Sequence, residues 1–374
     1  MPPKKEERRP LEPIFSQSNF PFYQYQTYQQ DNLDQVSQFL TYFKPELTQM
    51  MKNNIQDNMQ ILCQSIGINL HPTFVKVIQS LDINDFDENK KFKNPEEYEN
   101  DQTSQVVFFN SVKVDIITLK LLEFCLYQGG IQALKFCNND LGQSEYSIIS
   151  QIISNSECKI KKLYIDWQLI QPQLLQSNYL LEQLYLRSCQ IKLPFIETLC
   201  QNMRNLKVLD LYDNQLSKEG LNLIGTSLKD NTFLEQLGLA KNSINSFEQL
   251  SEILQNVGKF LMTQEEYDEY RIKEKERDLV IERNKKVKKK GTEDVVPVLE
   301  SIQQLDNNWY IIRNQKLSLL NLSLNCIDEN SIVQIEKFLN QTFEGFQLVL
   351  TNNKFEDQKA LQRLKKKYNK KLMI

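Results

Sequence analysis

Histidine is the residue that limits the chemistry open to this 374-residue chain, because the sequence contains only one, His71. A Ser-His-Asp triad, a Cys-His dyad or a histidine-based zinc site would have to use it. It lies in Leu70-His71-Pro72, a loop-like segment with no nucleophile or orienting carboxylate near it. We interpret His71 as a solvent-facing turn residue and predict that the chain has no catalytic residues and is not an enzyme.

Cysteine and glycine usage indicates the same. The seven cysteines are scattered, odd in number and never spaced as C-x-x-C, which is typical of reduced thiols in a cytosolic compartment. The ten glycines form neither a G-x-x-x-x-G-K-[ST] nor a G-x-G-x-x-G phosphate loop. We therefore expect no cofactor, no cofactor-binding residues and no metal site.

The charge balance and the apolar runs exclude two classes of partner. Lys plus Arg number 45 and Asp plus Glu 48, a net charge of −3, which argues against broad nucleic-acid binding. The first ten residues are polar, and no apolar run approaches the 18 or so residues of a membrane span. We expect no signal peptide, no membrane association and no nucleic-acid partner.

A repeated pattern organises the rest of the chain. The repeat template L-x-x-L-x-L-x-x-N-x-L matches seven times, with intervals of 29, 21, 25, 28, 83 and 28 residues between starts. The seven matches begin at Ile131, Ile160, Leu181, Leu206, Leu234, Leu317 and Gly345. Cys189 replaces the asparagine at position nine of the third match, and Gln168 departs from the pattern in the second. The 83-residue interval contains an insertion of roughly 55 residues beyond an ordinary repeat.

The template predicts one short strand per match, with the leucines pointing inward and the asparagine capping backbone groups at the following turn. Amphipathic stretches near 144–152, 195–203 and 221–228 predict return helices. The predicted fold class is therefore α/β, a horseshoe-shaped solenoid with parallel inner strands and outer helices, interrupted by a long charged helical insertion. The alternative, separate βα units of a doubly wound sheet, gives no reason for asparagine to recur at position nine.

On these residues the chain is identified as resembling the leucine-rich repeat proteins with long repeats of the ribonuclease-inhibitor type, over about 130–355. Leu234 to Asn242 runs into a highly charged segment, and the template resumes at Leu317 to Asn325. This interrupted layout, with Val106 to Phe109 ahead of the first match, is similar to that of ciliary leucine-rich repeat proteins. The resemblance implies a structural protein of the axoneme with no activity of its own.

The flanking sequence completes the predicted organisation: a flexible tail over 1–32, a helical N-terminal cap over 33–128, repeats over 129–256, the charged insertion over 257–308, final repeats over 309–355 and a basic C-terminal helix over 356–374. The aromatic and glutamine-rich stretch from Phe20 to Tyr28 is either a peptide that docks onto a partner or a tail that wraps its own repeats. The sequence leaves both open.

Within the insertion, one extended helix of about 40 residues is expected from 247 to near 288, with Gly291 ending it. Trp309 to Ile312, with a turn at Asn314-Gln315, predicts a hairpin strand. The apolar helix residues without an evident place to be buried are Tyr267, Tyr270, Ile272, Leu279 and Ile281. They either contact a neighbouring protein or belong to a solvated charged hairpin without a role.

The C-terminal helix, expected from Asp357 to Leu372, carries several lysines and Arg363. It is predicted to close the last repeat, and its basic face is also suited to acidic polymers such as tubulin tails.

Template positions three, five, seven and eight predict the partner-binding residues of the concave face. They are Lys162, Tyr164, Asp166, Trp167, Gln183, Tyr185, Arg187, Asp210, Tyr212 and Asp213. Aromatic and arginine side chains on adjacent strands are the composition of an interaction hot spot. The alternative is that the aromatic rings stack on one another and only cover the sheet.

These expectations lead to two hypotheses for function. The first is a non-enzymatic scaffold or adaptor of the ciliary axoneme, in a radial spoke, the central apparatus or a similar complex, located in cytoplasm, cytoskeleton and cilium and bound to other axonemal proteins. The second is a cytosolic repeat protein that binds and modulates an enzyme or small GTPase, for which Arg187 is the candidate inserted arginine.

Overall fold

The computed structural model of the chain describes residues 30–51, 55–67, 76–78, 105–127, 131–176, 179–287 and 294–374. These residues have an α/β fold that divides into two compact units, Met1–Asn214 and Gln215–Ile374. The aromatic stretch from Phe20 to Tyr28, His71 and the helix end at Gly291 lie outside the described residues, as does the predicted tail up to residue 29.

The first unit contains a parallel sheet whose strands follow one another in chain order. Its strands are β1 Lys76–Ile78, β2 Gln105–Asn110, β3 Ile131–Cys137, β4 Lys162–Asp166, β5 Gln183–Arg187 and β6 Val208–Asp210. Its helices are α1 Gln30–Tyr42, α2 Lys44–Met50, α3 Ile55–Ile66, α4 Ile116–Leu126, α5 Gln143–Ser154 and α6 Leu193–Asn202. β1 is antiparallel to β2, and all later neighbours in this unit are parallel. The chain between β4 and β5 holds a 3-10 turn, Pro172–Leu175, because only 21 residues separate those two template matches.

The strands pair position for position along the repeat template. Position four of successive matches is paired, as in Leu134 with Leu163, Leu163 with Leu184 and Leu184 with Leu209. These leucines are fully buried. Burial of one such side chain stabilises the fold by about 1.5–3 kcal/mol, so a shift of register by one residue would expose a row of leucines.

One repeat-like strand lies ahead of the first template match, where the sequence predicted only a helical cap over 33–128. β2 pairs with β3 in the same register, Val107 with Leu134 and Phe109 with Phe136, and α4 follows it. The two phenylalanine rings stack at 5.1 Å. The template missed β2 because valine and phenylalanine replace its leucines and Val112 replaces its asparagine.

In both units, a left-handed backbone residue stands at position eight of every template match, and another stands at the equivalent position after β2. Eight such residues have φ between 53° and 58°: Ser111, Asn138, Trp167, Ser188, Asp213, Lys241, Leu324 and Asn352. This conformation is costly for residues other than glycine and asparagine. Its recurrence in chemically different residues indicates that the turn geometry is imposed by the strand pairing.

The asparagines at position nine bond to the preceding match, as the template predicts. Asn214 Nδ2 donates to the Leu186 carbonyl at 2.8 Å, and Asn325 Nδ2 donates to the Leu239 carbonyl at 3.0 Å. Cys189 has the same role through its thiol, which donates to the Ile165 carbonyl at 3.1 Å. The Oε1 of Gln168 accepts from the Asn139 amide at 3.3 Å, whereas its Nε2 is buried with no hydrogen-bond partner in the described part of the chain.

The second unit repeats the same architecture around the insertion. It contains α7 Lys218–Leu228, β7 Gln236–Gly238, α8 Ser251–Asn256, β8 Gly258–Leu261, α9 Gln264–Val287, β9 Ser301–Leu305, β10 Asn308–Arg313, β11 Leu319–Asn321, α10 Ile332–Gln341, β12 Gln347–Val349, α11 Gln358–Lys367 and β13 Leu372–Met373. β7 pairs directly with β11, so the fifth and sixth matches are neighbours although 83 residues separate their starts.

The helix expected to continue from 247 to near 288 is instead two helices separated by a strand. α8 ends at Asn256, β8 follows, and α9 begins at Gln264. Gly258 has φ +115°, and a side chain there would lie 2.6 Å from the Gln341 carbonyl oxygen, so only glycine fits this bend. Thr263 and Glu266 then form a reciprocal capping box that starts α9. Gly258 and the Thr-x-x-Glu spacing of Thr263 and Glu266 are the features of the sequence that divide this segment.

The insertion also extends further than 308. β8, β10 and β9 form a three-stranded antiparallel sheet, and β10 ends at Arg313. The hairpin turn is Asp306-Asn307, with φ of 48° and 63°, and not Asn314-Gln315. The side-chain Nδ2 of Asn314 donates to the carbonyls of Leu228 and Asn231, so it closes the end of α7.

The predicted C-terminal helix is shorter than expected and does not end the fold. α11 stops at Lys367, and β13 pairs with β12 in parallel, Leu348 with Leu372. Leu364, Tyr368 and Leu372 are buried. These residues cover the last template match. The apolar residues 364, 368 and 372 are four apart, which is also the spacing of one face of a helix, and the sequence therefore predicted a helix that continued to Leu372.

Candidate partner-binding surface

The candidate surface is the strand face of the first unit that carries template positions three, five and seven. At position five the paired residues are Lys135, Tyr164, Tyr185 and Asp210, one from each of β3 to β6. At position seven, Cys137, Asp166 and Arg187 are paired in the same way. Parallel strands in register place these side chains in two adjacent rows, which we call the polar rows.

Two tyrosines form the centre of the polar rows. The rings of Tyr164 and Tyr185 stack with centroids 4.4 Å apart and an angle of 8° between planes. Tyr164 is only 8 % exposed and packs with Val106 and Ala133, and Tyr185 packs against this cluster. The stacking alternative is therefore correct for this pair, and truncation of Tyr164 would destabilise the fold as well as alter the surface.

A buried ion pair flanks the tyrosine stack on one side. Lys135 Nζ lies 3.1 Å from Asp166 Oδ2, and both side chains are largely buried. The ammonium also lies 5.3 Å from the Phe108 ring centroid and 5.9 Å from that of Tyr164. The sequence did not indicate Lys135 as a surface residue, because the first match was expected to offer only smaller side chains, and Phe108 lies on β2, which does not match the template.

A second ion pair lies on the other side. Arg187 Nε and Nη2 donate to Asp210 Oδ2 at 2.8 and 2.6 Å, and the guanidinium lies 5.7 Å from the Tyr185 ring centroid. Asp210 Oδ1 accepts from the Tyr212 amide at 3.2 Å. In the polar rows, cations, aromatic rings and carboxylates therefore contact one another continuously, and these contacts fix the side-chain rotamers.

Trp167 is the exposed member of the predicted set, with 63 % of its surface accessible. Its amide donates to the Arg187 carbonyl at 2.9 Å, and its φ of 58° is costly for so bulky a residue, by about 1–2 kcal/mol. Leu169, two residues on, is also exposed. An exposed indole in a strained backbone beside a fixed polar surface is an arrangement suited to a partner contact.

The remaining predicted residues lie at the margin of this surface. Lys162, Gln183 and Tyr212 are half-buried, and the Gln183 side chain accepts from the Tyr185 hydroxyl at 3.2 Å. Asp213 is half-buried and accepts from the Ser188 hydroxyl at 2.8 Å. All ten predicted residues thus lie on β4 to β6 or in the turns that follow them.

The five apolar residues predicted on the insertion helix do not share one environment. Tyr267 stacks on Trp309 with centroids 4.7 Å apart, so the expectation that it lacks a packing partner was wrong. Tyr270 and Ile281 are half-buried, and burial raises the pKa of the Tyr270 hydroxyl. Ile272 and Leu279 are exposed.

Lysines of the C-terminal region divide into structural and exposed groups. Lys367 pairs with Glu336 at 3.1 Å, and Lys371 Nζ donates to the carbonyls of Leu339 and Thr342 at the end of α10. Exposed basic side chains with no ion-pair partner among the described residues cover the other face of α11. They are Lys359, Arg363, Lys365 and Lys366, and the exposed Lys370 follows in the turn after the helix.

The described residues contain no group of three or more His, Cys, Asp or Glu side chains placed to hold a metal ion. All seven cysteines are free thiols, and burial raises the pKa of Cys63 and Cys189 to about 12. Among the helices described, none is long and apolar enough to cross a bilayer.

No family model matches this chain, and no curated protein matches it.

Proposed function

We propose that this chain is a leucine-rich repeat protein of horseshoe form that acts as a non-enzymatic scaffold or adaptor. The in-register template positions support the repeat assignment, as do the left-handed residue at position eight and the bonds made from position nine. In solenoids of this kind each repeat contacts its neighbours, and the strand face forms an extended binding surface.

One observation carries the binding role: Trp167 is exposed in a strained conformation beside the fixed polar rows. Side chains already held in place lose little conformational entropy when a partner binds. A partner with an apolar anchor for the indole and a basic or amide group near Asp213 fits this surface.

The location we propose is the ciliary axoneme, in a radial spoke, the central apparatus or a similar complex, with other axonemal proteins as partners. Support comes from the resemblance in layout to ciliary repeat proteins, since the template is interrupted by a charged helical segment between the fifth and sixth matches. The exposed basic face of α11 suits the acidic tails of tubulin.

The alternative proposal, a cytosolic regulator of an enzyme or small GTPase, requires an arginine available for insertion into another active site. Arg187 is the candidate, and its guanidinium is held by Asp210 and Tyr185. Releasing it would leave Asp210 without its cation, which makes this alternative the weaker one.

The test is fractionation of a tagged protein from ciliated cells. We expect the wild-type protein in salt-washed axonemes and the Trp167→Ala variant in the soluble fraction. Phe233→Ala, which removes an exposed aromatic ring from the second unit, is the matched control and should remain with the axonemes. A diffuse cytosolic wild-type protein that purifies with one soluble enzyme would favour the regulator instead.

A further inference from the structure

The insertion helix α9 has one face committed to its own unit. Half-buried residues recur every three or four positions along it, as Tyr267, Tyr270, Glu274, Arg277, Ile281 and Asn284. Tyr267 stacks on Trp309, and the Asn284 side chain exchanges two hydrogen bonds with the backbone of Asp294. These contacts fix the rotation of α9 about its axis.

The opposite face, which we call the outer stripe, is exposed. Ile272 and Leu279 lie two turns apart on it and are 58 % and 53 % exposed. Asp268, Lys275, Glu276 and Arg283 are exposed beside them and have no ion-pair partner among the described residues. Elsewhere on the helix, Arg271 and Glu274 form an ion pair with each other.

We propose that the outer stripe is a self-association surface, on which α9 of a second copy of this chain lies antiparallel about a twofold axis between Lys275 and Glu276. A residue at position i then faces position 551 − i of the other copy. Ile272 packs against Leu279, Asp268 faces Arg283, and Lys275 faces Glu276, each contact occurring twice by symmetry.

Charge complementarity selects the antiparallel second copy as the occupant. Asp268 precedes the centre of the stripe and Arg283 follows it at the same distance, and Lys275 and Glu276 flank the centre, so reversal of direction matches opposite charges at both pairs. A parallel arrangement in register would set Asp268 against Asp268 and Arg283 against Arg283. In the antiparallel register, Glu269 opposite Glu282 is a like-charged contact at the flank.

The surface is small. A 24-residue helix is about 36 Å long, and its stripe offers two large apolar side chains per copy. Interfaces of this size associate weakly, so we expect a dissociation constant of about 10–100 μM at low salt, rising with ionic strength. This proposal does not depend on the proposed axonemal function.

The first measurement is sedimentation equilibrium of the full chain over a range of concentrations. We expect a reversible monomer–dimer equilibrium that Ile272→Ser with Leu279→Ser shifts to monomer. Circular dichroism should be unchanged, because both residues are exposed. A wild-type protein that stays monomeric at 200 μM in low salt would overturn the proposal.

Charge reversal tests the pairing. Asp268→Arg or Arg283→Asp alone should raise the dissociation constant by about tenfold, since each converts two attractive contacts into repulsive ones. The double variant should restore it, and Glu282→Lys should strengthen association. Asp278→Arg and Lys285→Asp, exposed on the same helix but off the stripe, are the matched controls and should change little. Equal effects of stripe and control variants, or no rescue in the double variant, would contradict the pairing.

The register is tested by zero-length cross-linking of a mixture of ¹⁴N- and ¹⁵N-labelled protein. We expect mixed-isotope cross-links that join Lys275 of one copy to Glu276 of the other. Mixed cross-links that join other segments, without this one, would assign the dimer to a different surface and refute the proposal.

Discussion

At the scale of single residues, Trp167 combines strain with exposure. Four of the other six matches place asparagine, serine or aspartate at position eight, and these residues occupy the left-handed region at lower cost. The remaining two place Lys241 and Leu324 there, neither of which is as bulky as tryptophan. Tryptophan at this position lowers the stability of the fold and leaves its ring exposed to solvent. Such residues are found where binding compensates for the loss.

We therefore predict that Trp167→Asn stabilises the isolated protein while weakening partner binding. Relief of the left-handed strain should raise the free energy of unfolding by about 0.5–1 kcal/mol, as measured by urea denaturation. Tyr164→Ala is the contrasting variant, because its ring is buried and its loss should cost about 3 kcal/mol. A fall in stability for Trp167→Asn would show that the indole packs on the fold.

At the scale of elements, the sequence predicted the strands that follow the leucine template and missed strands that depart from it. The strands of all seven matches and the helices α5 to α7 follow from leucine spacing and helical periodicity, because these patterns are repeated. β2 was missed because Val107 and Phe109 replace leucine, and β8 because its four residues, Gly258–Leu261, were interpreted as part of a helix. The ten candidate surface residues could be located on their strands, whereas the contacts of Lys135 and Arg187 required the strands to be set side by side.

Most of the insertion should be removable without loss of the fold, provided that the paired strands β8 and β10 are joined directly by a short turn. β8 and β10 are antiparallel neighbours, and the Met262 amide donates to the Trp309 carbonyl at 2.8 Å. Replacing residues 263–308 with Asn-Gly should therefore convert them into a two-stranded hairpin with a type I′ turn.

We expect this variant to unfold cooperatively, with a melting temperature within about 5 °C of the wild type, because β7 and β11 pair without the insertion. Differential scanning calorimetry measures it. A Gly-Ser linker of equal length is the control for turn chemistry. Loss of the cooperative transition in both variants would show that α9 is needed for the repeat core.

At the scale of the whole molecule, the net charge is only −3, but acidic and basic residues are concentrated in different segments. Acidic residues lead α9, and exposed basic residues collect on α11. Steering of charged partners depends on such local fields and less on the total charge.

We predict that Arg363→Glu with Lys366→Glu lowers affinity for microtubules by about three- to tenfold at low salt, in a cosedimentation assay. Lys192→Glu with Lys218→Glu makes the same change in total charge at other exposed sites and should have little effect. Microtubules whose acidic tails have been cleaved should bind the wild type, the α11 variant and the control variant equally. Unchanged binding of the α11 variant to intact microtubules would argue against tubulin as its target.

The pairing of Gly258 with Arg313 also bears on the order of folding. Joining β7 to β11 closes a loop of about 83 residues in place of 28, which adds about 1 kcal/mol of loop entropy to that step. The three-stranded sheet brings the two ends of the insertion together beforehand and shortens the effective loop. We therefore expect the contacts within β8 to β10 to be formed already in the transition state of the step that joins the fifth and sixth matches. Variants that weaken this small sheet should slow refolding more than they accelerate unfolding.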